Sequence, residues 1–308
     1  MTQKFFLLSL LLLISICIFA QKDTTVKVNE NYITLSEIVV NNKLDVPSFI
    51  QRVKNDTTFY KAFRNLRIIG YTAINDIKML DKTRNIAASL HSKTKQIRTG
   101  NCRKMEVLNQ SVTGDIFDAA GNFNYYTAQM YAGLFFTKDS VCGENNIVKG
   151  HEFSTNGLSG IDKHKEQLKM LFFNPGKKIN GLPLISNKTA IFDESMAGKY
   201  DMAIDVKDHD SVPCYVFKIK VKPGEKNNVV IDEMTTWFNE KTFEIVARNC
   251  SLSYDAGVYD FAVEMQVEMT KAGDLLVPSV LRYNGNWKAI FKKRERGVFT
   301  ATLFDFVR

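Results

Sequence analysis

The chain has 308 residues, 45% of them apolar and 24% charged, a composition that excludes disordered, collagen-like and disulfide-scaffold classes and can bury a sizeable core. Its formal net charge of +8 suits either an anionic lipid surface or simple solubility. Nucleic acid is not an expected partner, because the start of the chain reads as an export signal.

Lys4 precedes an apolar run from Phe5 to Ile14, broken only by Ser9, and the stretch ends in Ile18, Phe19 and Ala20 before charged sequence begins. A run of about fifteen residues falls short of the roughly 20 that a membrane-crossing helix needs. Residues 1–20 are therefore expected to be a cleavable signal peptide, with cleavage after Ala20. The competing reading, a lipoprotein signal acylated at Cys17, conflicts with bulky Ile16 where a small residue belongs. The remaining chain is expected in the periplasm or cell envelope of a Gram-negative bacterium, or secreted.

Residues 21–45 form an extended N-terminal segment, polar apart from the β-branched run 33–40. That run is similar to the short hydrophobic-acidic segment near the start of TonB-dependent outer-membrane receptors, which implies a docking strand; the alternative is a plain edge strand. Residues 46–308 are expected to form a single β-rich domain. It opens with a helix over about 46–65, capped by Asp45 or Ser48, with Pro47 in the first turn and an interruption at Asn55, Asp56, Thr57 and Thr58. Runs at 67–80, 84–97 and 102–112 fit a meander of strands. The aromatic stretch 125–136 fits either a helix or a strand. A second helix is expected over about 161–173, ended by Asn174, Pro175 and Gly176. From 199 onward, eight strands are expected, separated by turns that include Lys222-Pro223-Gly224, Asn239-Glu240-Lys241 and Asn284-Gly285. The fold class is α+β: one long, curved antiparallel sheet, half-barrel-like, covered by a few helices.

Three stretches carry a family likeness. Trp237 to Ile245 reads as a strand-turn-strand with an aromatic-acidic turn, Leu275 to Leu281 as an apolar strand containing Pro278, and Thr300 to Phe306 as a closing strand. Together with the order of elements, they resemble the LolA-like superfamily of periplasmic lipoprotein carriers. The resemblance implies a half-open barrel that binds acyl chains beneath helices. Cys102, Cys142 and the long charged loops depart from that pattern.

Catalytic signatures are absent. His151-Glu152 has no histidine at 155 for a zinc-protease helix, and the aspartates at 201–210 lack calcium-loop spacing. Gly157, Ser159 and Gly160 only partly imitate a nucleophile elbow. No metal or cofactor is expected, and the non-catalytic reading leads; an unrecognised hydrolase with spatially paired carboxylates is an alternative. Another is an envelope interaction protein that docks a partner through 33–40.

The cysteines outside the signal are Cys102, Cys142, Cys214 and Cys250. Cys214 and Cys250 fall on strands flanking 229–239, about 9.6 Å apart at two strand spacings, beyond the ~7 Å limit for a bridge. Cys102 and Cys142 sit beside turns and are expected to pair. The candidate ligand-binding residues are Phe261, Val263, Met265, Val267 and Met269, one alternating face of a strand, with Trp237 or Trp287 as neighbours. The expected partner is a hydrophobic, acyl-chain or lipid ligand. The competing reading, which leads for any single one of these residues, is that the same face is closed core.

Overall fold

Alternating apolar and polar residues from Gly70 onward build the bulk of the molecule in the computed structural model, which describes residues 24–28, 31–35, 37–38, 44–148, 170–179, 185–257, 259–289 and 293–308. The expected signal (1–20) and most of the expected 161–173 helix lie outside the described residues; 170–173 are helical. The strands are β1 (Thr24–Val28), β2 (Asn31–Leu35), β3 (Glu37–Ile38), β4 (Gly70–Leu80), β5 (Ile86–Thr99), β6 (Cys102–Thr113), β7 (Ser140–Cys142), β8 (Tyr200–His209), β9 (Val212–Val221), β10 (Ile231–Asn239), β11 (Ile245–Asp255), β12 (Tyr259–Ala272), β13 (Leu275–Ala289) and β14 (Glu295–Val307). The helices are α1 (Val46–Asn55), α2 (Thr58–Asn65), α3 (Tyr126–Phe135) and the short α4 (Glu194–Ala197). Among the described residues no helix is long and apolar enough to cross a membrane.

Strands β4 to β14 form one open antiparallel sheet in which β8 to β14 follow in chain order and β14 then pairs with β4, which leads on to β5, β6 and β7. The closing strand β14 thus joins the two meanders, pairing Phe299 with Tyr283 on one side and with Ile77 on the other. The described part of the β-rich stretch after 199 contains seven strands, where turn residues had suggested eight. Asn284 and Gly285 lie inside the continuous strand β13, with Gly285 opposite Val263 and Gly297. A side chain at 285 would collide with the ring of Tyr283, 2.0 Å from its hydroxyl. This glycine therefore makes room for an aromatic ring lying along its own strand.

The expected 46–65 helix is two helices. Asp45 accepts from the Ser48 amide at 3.3 Å and hydroxyl at 2.6 Å, capping α1. Asp56 then breaks the run, accepting from the Thr58 amide at 3.2 Å and hydroxyl at 2.6 Å as α2 begins. Both helices present buried faces, Phe49, Ile50 and Val53 from α1 and Phe59, Tyr60 and Phe63 from α2.

Within the N-terminal run 33–40, the described β3 is an edge strand of the sheet. Ile33 and Leu35 are buried in the core, and β3 pairs in parallel with Ala203 and Ile204 of β8. Cys102 and Cys142 face each other across β6 and β7 and are bonded. Cys214 and Cys250 are buried free thiols on β9 and β11, either side of β10.

Candidate ligand-binding face and its helical cover

On β12, Phe261, Val263, Met265 and Val267 are buried while Ala262, Glu264 and Gln266 are exposed, as strand parity requires. Their neighbours on β13 are Trp287, Gly285, Tyr283 and Leu281. The row continues through Gly297, Phe299 and Ala301 of β14 to Met79, Ile77 and Asn75 of β4. Trp287 stacks on Phe261 with ring centroids 4.8 Å apart and donates its indole N–H to the Tyr283 hydroxyl. Met269 is only half-buried, because a register shift between Glu268 and Met269 interrupts the alternation.

Trp237 lies on the other face. Thr236 and Phe238 on either side of it are buried in the core, so parity turns Trp237 outward, where its ring packs on His209 at 5.0 Å. His209 hydrogen-bonds Glu268 at 2.7 Å. With Asp210, these make the one group of three histidine, cysteine or acidic residues among the described residues whose potential metal-ligating atoms lie within 4.8 Å of one another. The His209–Glu268 bond and the place of Asp210 next to His209 in the turn after β8 account for that proximity.

Aromatic side chains from the covering elements fill the inner face. Tyr131 of α3 stacks on Phe299 at 5.2 Å with ring planes 14° apart and meets Tyr283 edge-on at 4.5 Å. Phe135 also stacks on Phe299 at 5.2 Å. Phe172 meets Tyr283 at 5.4 Å, and Phe173 meets Phe63 of α2 at 4.8 Å. Between them remains a cavity of about 20 Å³ bounded by Phe63, Leu134, Phe172, Met265, Leu281 and Tyr283. That is room for about one water molecule and not for an acyl chain. A second cleft of about 50 Å³ adjoins it, sharing Phe63, Leu134, Phe135 and Phe173 and lined also by Arg64, Arg67 and Arg103.

Helix α3 is held at its start by a residue remote in sequence. The Glu295 carboxylate on β14 accepts from the Tyr126 amide at 2.9 Å, the Thr127 amide at 2.7 Å and the Thr127 hydroxyl at 2.5 Å. An anion here satisfies otherwise unpaired N–H groups and complements the helix dipole. Local sequence carries no sign of this partner, 168 residues away. At the opposite end, the Tyr71 hydroxyl lies 3.5 Å from the Phe135 carbonyl. Tyr131 itself is 1% exposed, and its hydroxyl has no hydrogen-bond partner. The helix lies wholly within the 40-residue span closed by the Cys102–Cys142 bond.

No protein-family model and no curated protein sequence matches the chain. The solved structures similar to it include two at low sequence identity. One is a DUF1329 family protein from Desulfovibrio piger, at 11% identity and a TM-score of 0.24 over 82% of this chain and 93% of that one. The other, from Vibrio parahaemolyticus, is described as an outer membrane lipoprotein-sorting protein domain and matches at 8% identity and a TM-score of 0.28, over 82% of this chain and 92% of that one. Neither likeness assigns a site residue in this chain.

Around this face, burial dominates the electrostatics. The Tyr283 hydroxyl is pushed well above the usual tyrosine range by desolvation, and the Cys250 thiol is raised to about 12 by the same cause. Arg248, 5% exposed, donates to Thr236 at 2.9 Å and lies 4.3 Å over the Phe59 ring. The β12 residues named from sequence thus share one apolar surface with Trp287, while Trp237 is not part of it. Sequence reasoning did not find Tyr131, Phe299 or Glu295, which meet only through long-range packing.

Proposed function

We propose that this chain is an exported cell-envelope protein that binds a hydrophobic acyl-chain ligand on the inner face of its sheet, beneath α3, without catalysing a reaction. The observation carrying this reading is the seam between α2 and α3, where the arginine-lined cleft and the apolar cavity share the walls Phe63, Leu134, Phe135 and Phe173. In the conformation described, the protein's own rings occupy the site, so a ligand must displace them. Burying a dozen methylenes contributes about 10 kcal/mol. Lifting Met130, Tyr131 and Phe135 from the sheet costs about 6 kcal/mol at roughly 2 kcal/mol per large apolar side chain. The exchange is favourable enough to offset part of the cost of association.

The fold-wide row of apolar residues from Phe261 to Ile77 supports a long flexible ligand over a compact polar one, and the two methionines of β12 add adaptability. Signal cleavage after Ala20 and a periplasmic or envelope location belong to the same proposal. Calorimetric titration of residues 21–308 with dodecanoate tests the reading: saturable binding that is lost in a folded Met265→Glu variant is expected. Absence of binding for every acyl compound tried, or undiminished binding in the variant, would refute it.

A further inference from the structure

At the outer end of that seam, charge is arranged in a way the packing does not need. Arg64 of α2, Arg67 just beyond it and Arg103 of β6 all line the cleft. Among the described residues Glu144 is the one carboxylate paired in this group, joined to Arg67 at 2.8 Å and also to Arg103. It is 18% exposed, and its partners Arg67 and Arg103 are 32% and 15% exposed. Two guanidiniums therefore share one carboxylate in a partly dry site, and Arg64 beside them has none among the described residues.

The neutral groups present do not compensate. Arg64 donates to Asn145 alone, to its carbonyl at 2.8 Å and its side-chain oxygen at 3.3 Å, and the buried Nε of Arg64 has no hydrogen-bond partner. Gln96 spends its amide donors on the carbonyls of Leu66 at 2.6 Å and Ile69 at 2.7 Å. Its oxygen is thereby fixed as an acceptor, taking Arg103 at 3.0 Å and Thr137 at 3.1 Å. Arg103 is thus held rigid from below. The Arg67 guanidinium is pulled below its ordinary range by burial and by its neighbours Arg64 and Arg103, against the attraction of Glu144. Among the described residues the cleft carries an excess of positive charge, which weakens the fold unless something else is gained there.

We propose that this cleft binds an oxyanion, the carboxylate or phosphate head of an amphiphile whose tail occupies the adjoining apolar interior. The proposal rests on the acyl-binding reading above and adds the polarity and charge of the ligand. Planar guanidinium forks match both oxyanions. The shared walls Phe63, Leu134, Phe135 and Phe173 place the start of the tail next to its head. Glu144 orients Arg67 and Arg103, while Arg64 has the least compensation and is the residue most available to the incoming anion.

Binding of dodecanoate, dodecyl phosphate and dodecanol to residues 21–308 at low salt tests the proposal. At least one anion is expected to bind about tenfold or more tighter than the alcohol, the better anion showing which head the cleft prefers. In Arg64→Gln and Arg67→Gln variants that ratio should shrink toward one while dodecanol affinity stays unchanged. Saturable binding of all three with equal affinity would overturn the oxyanion site and leave the acyl reading standing. A preference that persists undiminished in both variants would overturn its assignment to this cleft, and saturable binding of none of the three would overturn both readings.

Discussion

Replacing Glu295 by glutamine should loosen helix α3 without unmaking the sheet. The wild-type carboxylate takes three hydrogen bonds from Tyr126 and Thr127 at the positive end of the helix dipole. Glutamine keeps one acceptor oxygen but removes the charge and turns a donor toward N–H groups. Losing a cap costs about 1 kcal/mol, and losing the charge at a partly buried helix start about another 1 kcal/mol. A combined loss of about 2 kcal/mol corresponds to a roughly thirtyfold larger population of the lifted helix. Amide hydrogen exchange resolved by residue reads this directly: protection over 128–135 should fall by about that factor while β10 to β13 change little. The on-rate for dodecanoate should rise by a similar factor, since binding then draws on a larger open population. Uniform loss of protection across sheet and helix would refute the reasoning, because Glu295 would then support the whole fold instead of one movable part. Unchanged exchange would show that the contact contributes nothing.

Other perturbations have equally definite outcomes. Tyr131→Phe removes a buried hydroxyl that has no partner and retains the stacked ring, so denaturation should show a gain of about 1 kcal/mol; a loss of that size would contradict the packing described. Replacing Cys102 and Cys142 together by serine opens a span of 40 residues and should cost up to about 4 kcal/mol, whereas the unfolded, unreduced parent (residues 21–308) should titrate two thiols, Cys214 and Cys250. Lys177 is lowered from 10.5 to about 8 by burial, against the attraction of Asp56 and aided by Arg248 and Lys54. Between those pH values the unfolded chain binds a proton that the native one lacks, so this group's contribution to stability rises with pH. The stability of the parent minus that of Lys177→Met should therefore climb by about 3 kcal/mol from pH 8 to 10.5. Taking the difference cancels the opposing loss from Cys250 and Tyr71, both raised to about 12 by burial. A flat difference would show that Lys177 is solvated.

Local patterns and distant contacts were unequally readable in the sequence. The alternation along β12 identified the buried face, because parity within one strand is a local property. The break between α1 and α2 was signalled by Asp56, whose short side chain competes for backbone N–H groups. Asn284 and Gly285 misled because the same dipeptide that favours a turn also clears space for a ring, and only the position of Tyr283 decides between them. Trp237 was misplaced because adjacency of strands does not give register, and the shift between Ile231 and Glu233 resets the parity of β10. Whether the inner face is open or filled depends on where Tyr131, Phe135, Phe172 and Phe173 dock, and their number says nothing about that. Arg64 and Arg67 are near neighbours in sequence, but Arg103 and Glu144 reach them only through strand pairing and the turn after β7.

The two tryptophans stand on opposite faces of the sheet, and this permits the most direct test of where a ligand goes. Trp287 is 9% exposed on the inner face against Phe261, and Trp237 packs on His209 outside. Dodecanoate brominated along its chain quenches a tryptophan only on close approach. In a Trp237→Phe variant, which keeps Trp287, saturating brominated ligand should quench the fluorescence strongly, and unlabelled dodecanoate should reverse it. In Trp287→Phe, which keeps Trp237, the same ligand should leave the emission unchanged. Quenching of Trp237 with Trp287 untouched, or of neither while ligand is demonstrably bound, would contradict binding beneath α3.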